Sequence, residues 1–185
     1  MRLAQIATIL APHENTNPDS LQSILRGPLL LTLFESQPGK GRTSPAEYEK
    51  EEIARARLLL AARDCGLSGV ELGIVNEALN QPPAFMGQHS DWAKQGGAIV
   101  YPSALHSIIR GTQMGENWIV RIRFTRSLDG QRHIKPTIFQ QDGQTASDRA
   151  SAAVDLLSNE THLGTLICPA SDLVRPILTY VGSNE

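Results

Sequence analysis

The sequence predicts an α+β protein made of two related helix–helix–hairpin units. Three observations carry this expectation. Helical apolar spacing near the start gives way to a glycine-rich turn, the clearest strand lies in the second half, and one eight-residue segment recurs. Ser20–Gly27 and Ala104–Gly111 share five of eight residues at a constant offset of 84. Each copy follows a proline and precedes an apolar stretch that leads to a basic turn, so the reading is an internal duplication. Two helices followed by a basic strand pair make each unit winged-helix-like.

Leu3, Ile6, Ala7 and Leu10 share one helical face, and Pro12 ends that segment. Asn17 caps a second helix with Pro18 in its first turn, running through Leu21, Ile24 and Leu25 to Gly27-Pro28. Leu29–Phe34 then reads as a buried strand, and Gln37–Thr43 as a flexible basic loop between strands. Ser44, Pro45 and Glu47 have the spacing of a helix start, with the helix reaching Cys65 and Glu51 pairing with Arg55 on its solvated side. Gly66 stops it, and a further helix runs from Leu67-Ser68 to Leu79 ahead of Pro82-Pro83.

Residues 1–82 form the first expected domain, 83–97 a linker and 98–185 the second. The latter starts with a short apolar patch, Ala98–Tyr101, and a helix from Ser103 to Arg110 stopped by Gly111. Along Trp118–Arg126, Trp118, Val120, Ile122 and Phe124 point one way while Arg121, Arg123 and Thr125 point the other. Asp129-Gly130 turns the chain into Ile134–Phe139, where Pro136 marks an edge strand. Ser147 or Asp148 begins a helix to Leu157, Leu163–Cys168 is a further strand, and Ser171 starts a last helix bent by Pro176.

Composition narrows the function. The 185 residues carry 17 Lys and Arg against 19 Asp and Glu, a formal charge of −2, with 41% apolar and 19% charged residues. That balance excludes nucleic-acid binding by bulk charge and leaves local patches. Cys65 and Cys168 lack the spacing of a zinc site or a disulfide framework, so a reducing cytoplasm is expected, with no metal or cofactor. The start lacks a leader pattern, and no apolar run approaches the roughly 20 residues of a membrane-spanning helix. The histidines are dispersed, and H-E-x-x-H, G-x-S-x-G and GKS/GKT motifs do not occur, which argues against an enzyme.

The expected partner is double-stranded DNA. Gln22, Ser23 and Arg26 on the second helix supply the hydrogen-bonding groups that read base edges, with His106, Ser107 and Arg110 as their counterparts. Lys40 and Arg42 suit phosphates from a glycine-flanked loop. Between Arg121 and Lys135, five cations (Arg121, Arg123, Arg126, Arg132 and Lys135) face Asp129 alone, which reads as a phosphate-tracking face or as a solvated strand face with scattered ion pairs. A protein–protein adaptor is the rival, favoured by the acidic run Glu47, Glu49, Glu51 and Glu52. A protein partner or a homodimer is compatible with either role.

Gly41-Arg42-Thr43, Tyr48, Glu51-Glu52-Ile53-Ala54-Arg55, Leu58–Ala62, Cys65-Gly66-Leu67-Ser68, Glu71-Leu72 and Ala78-Leu79 together resemble the wing and following helix pair of MerR-type regulators. The resemblance covers about 40 residues, with the Gly-Leu-Ser turn after a long helix as its most specific part. It implies that residues 1–80 form a winged helix-turn-helix that reads DNA through its second helix and wing, in a transcriptional regulator. The family's threonine, arginine and paired aromatics on the recognition helix are not matched, and no long C-terminal dimerisation helix or cysteine metal sensor follows.

Overall fold

The computed structural model describes residues 1–38, 45–83, 103–141 and 160–181. It is a mixed α+β structure, with helices and, among the described residues, two small antiparallel sheets. The chain divides into two compact units, the first combining Met1–Asn76 with Leu173–Glu185 and the second spanning Glu77–Asp172. The C-terminal segment thus belongs with the first unit, not with the second half as expected.

In the first unit, α1 (Leu3–Leu10) buries Leu3, Ile6, Ala7 and Leu10, the face its spacing predicts. A 3-10 turn over Ala11–Glu14 ends in left-handed Asn15, and the Asn17 side chain then accepts from the Ser20 N–H at 2.8 Å to start α2 (Pro18–Leu25). Leu21 and Leu25 are buried, and α2 packs against α1. The strand expected at Leu29–Phe34 is absent. Gly27 and Pro28 instead cap and open a short helical turn, α3 (Pro28–Leu31). Pro at the first helical position and a run of leucine, which lacks β-branching, favour that outcome.

The strand pair begins later. β1 (Ser36–Gln37) pairs antiparallel with β2 (Glu47–Tyr48), joining Ser36 to Tyr48 and Gln37 to Glu47. Tyr48 also exchanges backbone bonds with Met1, at 2.7 and 2.6 Å, and meets the Phe34 ring edge to face. This pairing overrides the helix start expected at Ser44–Glu47, and α4 spans Glu51–Asp64. Gly66, at φ +91, ends that helix turn in a conformation open to glycine. Ser68 and Glu71 then cap α5 (Gly69–Asn80) reciprocally, through Ser68 N–H to Glu71 Oε2 at 2.8 Å and the return bond at 3.5 Å.

Helix α4 is covered on most sides and buries Glu52 and Arg55 along with Ile53, Leu58 and Leu59. Arg55 is only 4% exposed, so the solvated pair with Glu51 is replaced by a buried one. Its Nε donates to Glu52 at 2.8 Å and its Nη1 to Asn76 Oδ1 on α5 at 2.7 Å. The second oxygen of Glu52 accepts the Glu35 N–H at 3.3 Å. Burial raises the Glu52 carboxyl above the usual range, and Arg55 opposes that shift. At the C-terminus, α7 (Ala170–Val174), a 3-10 turn at Arg175–Ile177 and α8 (Leu178–Val181) form the bend expected at Pro176, with α8 against α4.

In the second unit, Ser103 caps α6 (Ala104–Gln113). This helix continues past Gly111, its expected stop. Inside the helix this position has room only for glycine, since a Cβ there would collide with the indole nitrogen of Trp118 and the carboxylate of Glu116. The sheet has the order β4-β3-β5, all antiparallel, with β3 (Trp118–Arg126), β4 (Arg132–Gln140) and β5 (Thr161–Cys168). Gly130, at φ +84, makes the expected turn, and Pro136 lies on the β4 edge opposite Ile122. Ser171 bonds the Trp118 N–H, the Glu116 carbonyl and the Thr112 hydroxyl at 2.8, 3.0 and 2.8 Å, fixing the start of β3.

The two copies of the repeated segment therefore have different surroundings. Gly27 lies outside α2 and caps a helical turn, whereas Gly111 lies inside α6, and a sheet follows. Among the described residues the second unit holds the last turn of α5 and one whole helix, α6, ahead of β3. Most of the expected linker, the Ala98–Tyr101 patch and the helix expected to reach Leu157 lie outside the described residues.

Gly111→Ala is expected to lower the unfolding free energy by about 1–3 kcal/mol through overpacking against Trp118. Gly73→Ala, on an α5 position where a Cβ meets nothing within 4 Å, is expected to stabilise. Urea titrations of both variants check the contrast, and a neutral Gly111→Ala contradicts it.

Candidate nucleic-acid interface

On α2, Ser23 and Arg26 are exposed and Gln22 is half-buried. Asp19, Ser23 and Arg26 fall at i, i+4 and i+7 and share the outer face, so Asp19 joins the candidates that sequence reasoning overlooked. The Ser23 hydroxyl donates to the Asp19 carbonyl at 2.9 Å, which turns it toward its own helix. Arg26 holds the C-cap position, where its cation complements the helix dipole while the guanidinium reaches solvent. Seven residues, 11–17, connect α1 to α2, more than the 3–4 of a tight helix-turn-helix, and a 3-10 turn takes up the excess.

β1 and β2 bracket the connection that carries Lys40 and Arg42, and both of these residues lie outside the described residues. The strand ends themselves are acidic. Glu35, Glu47 and Glu49 are exposed, and Glu49 accepts from the Gln37 amide at 2.7 Å.

The second unit alters the expected site more strongly. Ser107 is fully buried and its hydroxyl donates to the Ser103 carbonyl at 3.0 Å, so it does not face a ligand. It lies on the inward side of α6 beside Ala104 and Ile108. His106 is half-buried, and Arg110 is exposed.

Arg121 and Arg123 are 5% and 8% exposed, not the solvent-facing phosphate trackers the alternation suggests. The physical reason is that β3 is the central strand of the sheet, and both of its faces are covered. Arg121 lies over the Phe139 ring at 5.1 Å, which supplies a cation–π contact. Lys135 is also engaged, 2.5 Å from Glu160, and its cation holds that carboxyl below the usual range.

Arg126 and Arg132 remain as exposed cations. They are direct cross-strand neighbours at the hairpin end, and Arg132 stacks over Phe124 at 4.7 Å. His133 and His162 are exposed on β4 and β5, with His162 and Thr125 in cross-strand register. Asp129 at the tip is an opposing charge. Its carboxyl is lowered by the Ser127 hydroxyl and then the Gln131 N–H, so it stays ionised. Ser127 also lies 3.2 Å from His133 Nε2. The carboxylate here bonds the serine and does not orient the imidazole, unlike a hydrolytic triad.

Among the described residues no group of three or more His, Cys, Asp or Glu side chains could hold a metal ion. A polar recess of about 230 Å³ is lined by Met114, Gly115, Glu116, Asn117, Gln140 and Gln141, smaller than the about 300–1,000 Å³ of small-molecule sites. No described helix is long and apolar enough to cross a membrane. No protein-family model, curated protein or solved structure matches the chain.

Burial divides the arginines of the β3–β4 hairpin into two groups with different expected behaviour. Arg121→Ala and Arg123→Ala should each cost about 2 kcal/mol of stability through lost packing and partners, while Arg126→Ala should stay within about 0.5 kcal/mol of the parent. Equal urea midpoints for Arg123→Ala and Arg126→Ala contradict this division.

Proposed function

We propose that the chain is a sequence-specific DNA-binding protein, a transcriptional regulator acting in the cytoplasm, that presents α2 and the β1–β2 hairpin of its first unit to duplex DNA. The observation that supports it most is the order of elements in that unit. Two packed helices, the helical turn α3, an antiparallel strand pair and a helix pair separated by left-handed Gly66 follow one another, an order compatible with the winged helix that the MerR-type resemblance implies. Gln22 and Arg26 would read base edges, and Asp19 has the acceptor chemistry for cytosine N4. Lys40 and Arg42 would take phosphates, with Arg110, Arg126 and Arg132 as a second, separate set of cations. Ser107, Arg121 and Arg123 have no part in this assignment because they are buried.

An adaptor role is the second reading. Leu29 and Val70 are 60% and 79% exposed, and Leu29 lies against Gly69 beside Val70. With the acidic ends of the hairpin, this offers a surface that suits protein better than phosphate.

Titration of randomised duplexes at two salt concentrations tests the proposal. Affinity should fall steeply as salt rises, with Arg126→Ala reducing the salt slope by about 1 and weakening all sequences alike. Arg26→Ala should relax preference at one base pair by about 1–3 kcal/mol. Absence of binding to every duplex at low salt rejects DNA recognition in favour of the adaptor.

A further inference from the structure

The connection between α1 and α2 is long, yet it is anchored at one point. Glu14 ends the 3-10 turn, and Arg57 Nη1 on α4 donates to its Oε1 in an ion pair whose two side chains are only 14% and 15% exposed. Asn15, at φ +49, turns the chain immediately afterwards, and the Thr16 N–H closes onto the Ala11 carbonyl at 3.2 Å. Asn17 then caps α2. The point from which α2 departs is therefore fixed to α4 by charge, in addition to the packing of α2 on α1.

Arg57 is committed to this bond. Its Nε is buried without a hydrogen-bond partner, and its chain neighbours Ala56 and Leu58 are buried. Ions so shielded depend on each other, and removing one leaves the other uncompensated. Arg55 lies two residues earlier, about 200° round the helix, and donates to Asn76 on α5. Arg55 and Arg57 thus hold different neighbours of α4.

Helix α4 is in turn joined to the β1–β2 hairpin without slack. Residues 49 and 50 separate β2 from α4, and their carbonyls accept the N–H groups of Glu52 and Ile53 at 3.3 and 3.1 Å, so helical bonding begins at the strand end. Glu14 and Arg57 consequently link the start of α2 to the helix that continues from the hairpin.

We propose that Glu14 and Arg57 are positioning residues for base recognition, setting the seat of α2 against α4 and hence against the β1–β2 hairpin, a role that rests on the DNA-binding reading above. Neither residue belongs to the outer face of α2 that carries Asp19, Ser23 and Arg26, and both side chains are largely shielded, so their effect on a duplex passes through the placement of the helix and not through contact. Base-edge hydrogen bonds weaken steeply when donor and acceptor are displaced, whereas phosphate contacts carry no sequence information. Loss of the pair therefore lowers preference at the base pairs α2 reads and leaves the electrostatic attraction in place.

Two duplexes test this on the full chain: one recovered from a randomised pool by the unsubstituted protein, and one of the same composition in scrambled order. Glu14→Gln and Arg57→Met should each lower the ratio of the two affinities at least about tenfold with the salt slope unchanged, and the double variant should do no worse than either, since each substitution removes the same tie. A merely destabilised protein loses affinity for both duplexes alike and keeps the ratio, and a lost phosphate contact reduces the slope by about 1. An unchanged ratio in either single variant, a reduced slope, or losses that multiply in the double variant overturns the positioning role and leaves DNA recognition standing. A pool that yields no bound duplex overturns both.

Discussion

Glu52 and Arg55 are one turn apart on a helix that is covered on most sides, and their pairing ties three parts of the first unit together. Glu52 receives the backbone N–H of Glu35 just ahead of β1, and Arg55 donates to Asn76 on α5. The pair is thus a fixed point for the hairpin approach, for α4 and for the helix that follows. Isolated buried ions cost several kcal/mol, so each partner depends on the other and on these secondary bonds. The raised Glu52 carboxyl records the same opposition between burial and a neighbouring cation. Helix α1 packs on both α4 and α2, so the exposed face of α2 is held to the same centre.

In the second unit the governing constraint is the central position of β3. A strand with neighbours on both sides and cover on both faces has no solvent side, and charge counted along it does not equal charge offered to a ligand. Along the β3–β4 hairpin the exposed arginines among the described residues are Arg126 and Arg132, where the hairpin outruns its cover, and Asp129 tempers their charge. The same sheet leaves β5 with little cover.

Much of this was legible in the residues. The apolar spacing of Leu3–Leu10, the Asn17 cap, the Trp118–Arg126 alternation, the Asp129-Gly130 turn and the edge position of Pro136 are each dictated by local chemistry, and each is present. The failures share one cause: tertiary cover is not written locally. Leu29–Phe34 is too short an apolar run for periodicity to tell a strand from a helical turn. Both Glu51 and Glu52 lie within reach of Arg55 on a helix, and only packing against the rest of the unit decides which pair turns inward. Alternation along β3 divided its side chains between two faces but did not reveal that the second face is covered. At the candidate site, the exposure of Ser23 and Arg26 followed from helical spacing, whereas Asp19 was hidden as an ordinary first-turn acid and the burial of Ser107 depended on the docking of α6.

A double-mutant cycle on Glu52 and Arg55, using Glu52→Gln, Arg55→Met and the combined variant, tests the central constraint most directly. The account predicts that either single substitution strands a buried charge or its bonding partners, that the double variant recovers part of the loss, and that the coupling is about 2 kcal/mol or more. Additive losses, with coupling below about 0.5 kcal/mol, would contradict it.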